Sequence, residues 1–368
     1  MTDYATFVGL DVHADRLSVH VLAAGADGAE LWSGSIPNMA DALGRLIGKF
    51  GKRGRALYCY EAGPCGYRVH RQITAAGHGC LVAAPSLIPR RSGERVKTDK
   101  RDACKLARLL RAGELEGIWV PDPAHEAMRD LVKARHQAQR RRKAAMQRVT
   151  SFLLRLGRHW TERPWTLAHR AWLDGQVFTE AGHGFLFGAL RDDMAEAGAA
   201  VKRFEAEIVA RLDGWPAGRL VEALRCLRGI DLVGAVTLAA AIGDPRRFGS
   251  APALMAYFGL TPSEHSSGKR RRLGAITKTG DGESRRILVE AAWTHRMRAR
   301  PGAAKTRRLE AQPQAIRAIA KACETRLNRR FSAMIAARKK PQVVAVAIAR
   351  EQAGFVWAVA REVGAPGG

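Results

Sequence analysis

Apolar and polar positions alternate in short blocks along the first hundred residues. Phe7-Val8-Gly9-Leu10-Asp11-Val12 reads as a buried strand. Residues 17–23 read as a second strand, 25–30 as the turn after it, and 31–36 as a third strand. Asn38 then stands as the cap of an amphipathic helix with Leu43, Leu46, Ile47 and Phe50 on one face. Residues 56–60 are apolar and run into Glu61, where Gly63-Pro64 breaks the pattern. A helix is predicted over 67–76 and a further short strand over 80–83.

With a helix after the last strand, the order is strand, strand, strand, helix, strand, helix, strand, helix. That is the order of a ribonuclease H-like fold. Beyond Pro85 the pattern turns helical. A helix over 97–111 carries Leu106, Leu109 and Leu110, and a longer one over 125–156 has a seam of Leu131, Ala134, Ala138, Ala145, Val149 and Phe152. Residues 194–212 read as one arm of a helical hairpin. Residues 227–235 resemble a helix-hairpin-helix turn, in which glycines offer backbone N–H groups to a phosphate. Trp160, Trp165 and Trp172 lie among basic residues and read as packing rather than base stacking. A helix over 251–258 closes at Gly259, and a polar, basic, glycine-containing segment follows over 261–282. Residues 285–298 are again helical, and one short apolar helix with a loose tail follows Pro341. The expected class is α/β plus all-α: a ribonuclease H-like domain over 1–124, a helical coiled-coil segment over 125–218, a mostly helical domain over 219–335, and a helix and tail over 336–368.

Charge narrows the function. The 368 residues include 61 Lys or Arg and 35 Asp or Glu, a formal net charge of +26. A chain this basic is expected to meet a polyanion, first of all nucleic acid. Eight Lys or Arg but a single acid, Asp130, lie between Arg129 and Arg148, so Arg140, Arg141, Arg142 and Lys143 are expected to contact phosphates. The nearly apolar run over 232–243 is too short to span a bilayer, and Asp3 stands where a secretory leader would be positive. A cytoplasmic, nucleoid-associated bacterial chain without a membrane partner is expected. The six cysteines form no CxxC pair and no histidine stands at finger spacing, which argues for reduced thiols rather than zinc.

Four carboxylates carry the candidate chemistry. Asp11 ends the first strand and Glu61 a later one, while Asp99 and Asp102 share a helix face at spacing i, i+3. Converging carboxylates repel unless a cation neutralises them, and Mg²⁺ prefers oxygen ligands. Two such ions about 3.5–4 Å apart activate an attacking oxygen and steady a leaving one. Other readings stay open at this level. An Asp after a strand is often a cap, and Asp-x-x-Asp on a basic helix is often a salt-bridge pair. An actin-like ATPase would need a second glycine-rich phosphate loop, which the sequence lacks. A nuclease acting by two-metal hydrolysis and a non-catalytic nucleic-acid binder also remain.

Several phrases together resemble one family. They are Val8-Gly9-Leu10-Asp11-Val12-His13, Tyr60-Glu61-Ala62-Gly63-Pro64-Cys65-Gly66-Tyr67 and Lys97-Thr98-Asp99-Lys100-Arg101-Asp102-Ala103, then Gly259-Leu260-Thr261-Pro262, Ser266-Ser267-Gly268-Lys269 and Ile276-Thr277-Lys278-Thr279-Gly280. In this order, across nearly the whole chain, they resemble the IS one-hundred-and-ten family of insertion-sequence transposases, also described as bridge-RNA-guided DNA recombinases. The resemblance implies a RuvC-like domain with an Asp-Glu-Asp-Asp Mg²⁺ site, mapping onto Asp11, Glu61, Asp99 and Asp102. It implies a coiled-coil segment and a C-terminal transposase domain whose nucleophilic serine maps onto Ser267, with Ser266 beside it. It also implies donor and target double-stranded DNA, a guide (bridge) RNA, and a homo-oligomer, dimer or tetramer. Lys269, Arg270, Arg271 and Arg272 then stand where they would hold the scissile phosphate.

Overall fold

A computed structural model describes residues 4–89, 99–264, 272–298 and 302–364. The chain divides into two compact units, Met1–Val120 and Pro121–Gly368.

The first unit is a mixed α/β layer structure. Its strands are β1 (Thr6–Val12), β2 (Arg16–Ala23) and β3 (Glu30–Pro37), followed by α1 (Ala40–Gly51), β4 (Ala56–Glu61), α2 (Arg68–Ala75), β5 (Gly79–Ala83) and α3 (Asp99–Arg111). The sheet order is β3-β2-β1-β4-β5. β1–β2 and β2–β3 pair antiparallel, whereas β1–β4 and β4–β5 pair parallel. The order of elements along the chain is the one the pattern predicted, and the sheet is consistent with a ribonuclease H-like layout.

Strand alternation sorts the two faces. Val8, Leu10, Leu17, Val19, Val21, Tyr58 and Tyr60 join Leu43, Leu46, Ile47 and Phe50 of α1 and Val69 and Ile73 of α2 in one core. The opposite face packs on α3, with Cys59 among Leu106, Leu110 and Leu115. Asn38 does not cap α1. Met39 takes the cap position, with no side-chain bond. The Asn38 amide instead donates to the His13 carbonyl at 2.6 Å, and its own two oxygens accept from Arg68.

The second unit is mainly helical. Helix α4 (Pro123–Arg155) starts at Asp122, whose carboxylate accepts from the His125 N–H at 2.8 Å. After α5 (Leu167–Asp174) comes α6 (Ala181–Ala210), longer than the 194–212 arm predicted. α4 and α6 pack along each other and are clamped by Arg135 on Glu205. Trp160, Trp165 and Trp172 surround the buried His169 ring, which confirms the packing reading.

Then follow α7 (Gly218–Leu224), α8 (Leu232–Ile242), α9 (Ala251–Tyr257), β6 (Pro262–Glu264), β7 (Leu273–Ile276), α10 (Gly282–Trp293), α11 (Ala303–Glu310), α12 (Gln314–Ala336) and α13 (Pro341–Val363). Helix α13 corrects the expectation of a short terminal helix. It has 23 residues and is long and apolar enough to cross a bilayer by length and composition, more so than 232–243. Its Val344, Ile348, Ala349, Ala353, Val356 and Val359 sit in the core shared with α7–α10 and α12. The turn over 227–235 also departs from the phosphate-binding reading. The Gly234 N–H is taken by Asp231 at 2.7 Å, and Gly229, at φ +79°, leaves room for α10: a Cβ there would lie 2.7 Å from Ala291 Cα.

His295 gives this unit a pH dependence. It is fully buried, neither ring nitrogen has a hydrogen-bond partner among the described residues, and burial beside Arg228 and Lys305 pushes its pKa down to about 4. The fold keeps the ring neutral, whereas the unfolded chain protonates it below about 6.5. Its contribution is therefore complete above pH 6.5 and lost as pH falls toward 4, about 2–3 kcal/mol by pH 4.5. Denaturant midpoints for the parent and His295→Leu at pH 7.5 and 4.5 should show the variant losing less stability on acidification. An unchanged pH slope would contradict this.

Candidate functional site

The site begins with how β1, β4 and α3 meet. Register pairs Leu10 with Tyr60 in parallel, so Asp11 and Glu61 follow side by side at the C-terminal ends of adjacent strands. Period-two alternation places them on the same face as Gly9 and Cys59. That face carries α3. A Cβ on Gly9 would stand 2.1 Å from the Ala103 carbonyl and 2.5 Å from Ala107 N, so only glycine lets the helix lie this close. The Cys59 thiol donates to the Leu106 carbonyl at 3.5 Å. Farther down the helix, Arg111 donates to the carbonyls of Gly25 and Ala26 beyond the opposite end of the strand. Helix α3 therefore runs against β1, and its first turn, with Asp99 and Asp102, arrives where Asp11 emerges.

His13 completes the group. Its Nε2 lies 3.2 Å from Asp11 Oδ2 and 3.6 Å from Asp99 Oδ2. The Arg16 guanidinium donates to Asp99 Oδ2 at 2.7 Å. Among the described residues, one ligand atom each from Asp11, His13 and Asp99 lies within 4.8 Å of the others. Glu61 is exposed and Asp102 half-buried, and neither belongs to that group. Two carboxylates and an imidazole suit a divalent cation, with the oxygens favouring a hard ion. Arg16 balances charge on Asp99 and would have to share that oxygen with a bound ion. Sequence reasoning missed His13 and Arg16. The signal for His13 was the Asp-x-His spacing, which returns an imidazole to the carboxylate's side of an extended segment.

The basic candidates lie in the second unit. Arg140 pairs with Glu283 of α10. Arg141 donates to Asp193 at 2.9 Å and to Glu196 at 3.3 Å, both on α6. Half of the quartet is thus engaged by acids of its own unit. Such exposed pairs contribute little and exchange readily for phosphate. Lys143 is exposed, and Arg142, half-buried, passes close to Gly198. Ser266, Ser267, Lys269, Arg270 and Arg271 lie outside the described residues. The strands flanking them, β6 and β7, form an antiparallel ribbon that the sequence pattern did not predict, and Arg272 is exposed just before β7.

Known proteins decide the family. An IS110 DEDD transposase model matches residues 8–157, which include all four acids, and the model described as Transposase IS116/IS110/IS902 family matches residues 221–307. The y4qE protein of Sinorhizobium fredii, described as a transposase, is 43% identical over 98% of this chain and 90% of its own. The transposase for insertion sequence element IS1533 of Leptospira borgpetersenii is 29% identical over 91% of this chain and 98% of its own.

The chain belongs to the IS116/IS110/IS902 family of transposases.

This transposase is therefore an enzyme that acts on DNA to move an insertion sequence. Its DEDD-type domain points to divalent-metal use, in keeping with the acid-and-imidazole group at the end of β1.

Proposed function

We propose that this transposase cleaves and exchanges DNA strands through a serine nucleophile, with Mg²⁺ held by Asp11, Glu61, Asp99 and Asp102. One observation carries the reading: two separate strands and a helix N-terminus deliver these acids to one end of a sheet, with Asp11 and Asp99 already around one imidazole. The residues fit the ion. Bound there, Mg²⁺ supplies positive charge against phosphate oxygens. Asp11 and Asp99 orient that charge, and Arg16 and His13 temper the repulsion between them while it is absent.

The hydroxyl of Ser267 attacks phosphorus and loses its proton. A phosphoserine ester forms, and the DNA hydroxyl departs, taking up a proton. The ester keeps the bond energy for rejoining when a hydroxyl from the other duplex reverses the step. Lys269, Arg270, Arg271 and Arg272 hold the phosphate, and Arg142 and Lys143 meet the nucleic-acid backbone. The RuvC-like domain is assigned to 1–124, which takes in the first unit and the start of α4. The coiled-coil segment is 125–218, the serine domain 219–335 and the last helix and tail 336–368. A guide RNA selects donor and target. The working form is a dimer or tetramer, because exchange between two duplexes needs more than one serine.

The purified protein with its copurifying RNA, donor and target duplexes and Mg²⁺ should yield recombinant joints. EDTA or ribonuclease should abolish them. Hydrolytic cuts without joints would favour a two-metal nuclease, and joints that survive ribonuclease would remove the guide RNA.

A further inference from the structure

Among the described residues, three that are not glycine have positive φ: Trp165 at 67°, Lys278 at 57° and Arg338 at 57°. Side chains of L-residues rarely adopt this conformation, and glycine or asparagine is its usual occupant. Two of the three have an evident local reason. Arg338 ends α12, where its N–H returns to the Ile335 carbonyl and that of Lys339 to Met334, a common helix-terminating turn. Trp165 donates its N–H to the His169 ring and packs its indole against it. Lys278 ends no helix, and its side chain is exposed.

The backbone around Lys278 is tightly built. Its N–H donates to the Gly259 carbonyl at 3.1 Å, and the neighbouring Thr277 N–H to Thr261 at 2.9 Å. Gly259 and Gly280 both have positive φ. A Cβ on Gly259 would lie 2.3 Å from the Thr279 carbonyl oxygen, and one on Gly280 would lie 1.9 Å from that of Tyr257. Arg285 staples the two segments, donating to the carbonyls of Phe258 and Thr279 at 2.8 Å each. A strained residue persists where its surroundings over-determine it, and such positions cluster at ligand clamps. Here the whole device holds one ammonium group toward solvent.

Its place gives it a use. Lys278 lies two residues beyond β7, at the base of the ribbon whose far end leads into 265–271. The ribbon buries almost nothing: Leu273 is 49% exposed, and Gly274 and Ala275 are exposed too. A bare two-stranded ribbon is marginal on its own, and it is one of the shapes a DNA major groove admits. From Arg272 to the end of β7 at Ile276 is four residues, about 13 Å of extended chain, and Lys278 lies two residues beyond. The cation therefore stands several nucleotides from any phosphate held at the far end.

We infer that Lys278 is a DNA phosphate-binding residue, fixed in a left-handed backbone to clamp the duplex at the base of the β6–β7 ribbon. The inference rests on the nucleic-acid part of the proposed function and not on the serine. The test compares Lys278→Gly and Lys278→Arg with the parent by anisotropy of a labelled DNA duplex across a salt series. Glycine relieves the strain, so its Tm should equal or exceed the parent's. Its log-log salt slope should fall by about 0.9, which from 1 M to 0.15 M salt makes about a fivefold loss of affinity. Lys278→Arg should keep the parent slope. An unchanged slope for Lys278→Gly, or a loss confined to a single-stranded RNA probe, would overturn the inference. Because binding alone is read, a failure of the serine chemistry would show separately, as absence of a covalent adduct from the parent.

Discussion

Asp11→Ala should abolish strand joining while leaving the protein folded, a loss on the order of 10³-fold or more. The direction of the stability effect makes the test sharp. Asp11 sits half-exposed at a strand end, near Asp99 and joined to His13 at 3.2 Å. Removing one of two like charges relieves repulsion, so the variant's Tm without metal should equal or exceed the parent's. Added Mg²⁺ should raise the Tm of the parent, because a ligand that binds only the folded state stabilises it by mass action. It should leave Asp11→Ala unmoved. Wild-type joining by Asp11→Ala, or an equal Mg²⁺ shift in both proteins, would remove Asp11 from the centre.

The same geometry shows why this half of the site was legible in the sequence. β1, β4 and β5 are apolar runs because both sheet faces are covered, and their ends are marked by Asp11, Glu61 and a break. Strand order then brings the acids to one end. What the sequence hid was tertiary. Asn38 has the chemistry of a helix cap, yet its side chain is used between His13 and Arg68, a pairing no local pattern encodes. His13 lies one residue past β1 and joins the acids only because α3 crosses that end.

The second unit was less legible for a different reason. Helix α13 is apolar on most sides, so there is no polar face whose period would reveal its length. β6 and β7 bury almost nothing, and a strand without a buried face leaves no alternation to read. The glycines at 229 and 234 looked like phosphate ligands by spacing. In the fold one makes room for Ala291 and the other is capped by Asp231. Arg141 likewise looked free for phosphate and meets two acids of α6. A local pattern identifies which residue types are present, while their partners depend on helices far away in sequence.

Ser267→Ala should eliminate the covalent protein–DNA adduct and reduce joining by on the order of 10⁴-fold or more, because a nucleophile has no substitute in a chemistry that passes through its ester. Ser266→Ala is the matched control. It changes the same polar pair by one oxygen at the adjacent position, so it should retain the adduct. Adducts trapped by denaturation and mapped to a single peptide would separate the two. The measurement also tests how the two halves of the site divide the work. If Ser267 forms the bond and the carboxylates position the phosphate, Asp11→Ala and Ser267→Ala should both lack adduct, and the double variant should be no worse than either single one. Adduct formation with Ser266 and Ser267 both replaced would refute a serine nucleophile there and assign the bond to another side chain, whereas cleavage with no adduct in any variant would return the cutting step to the metal centre.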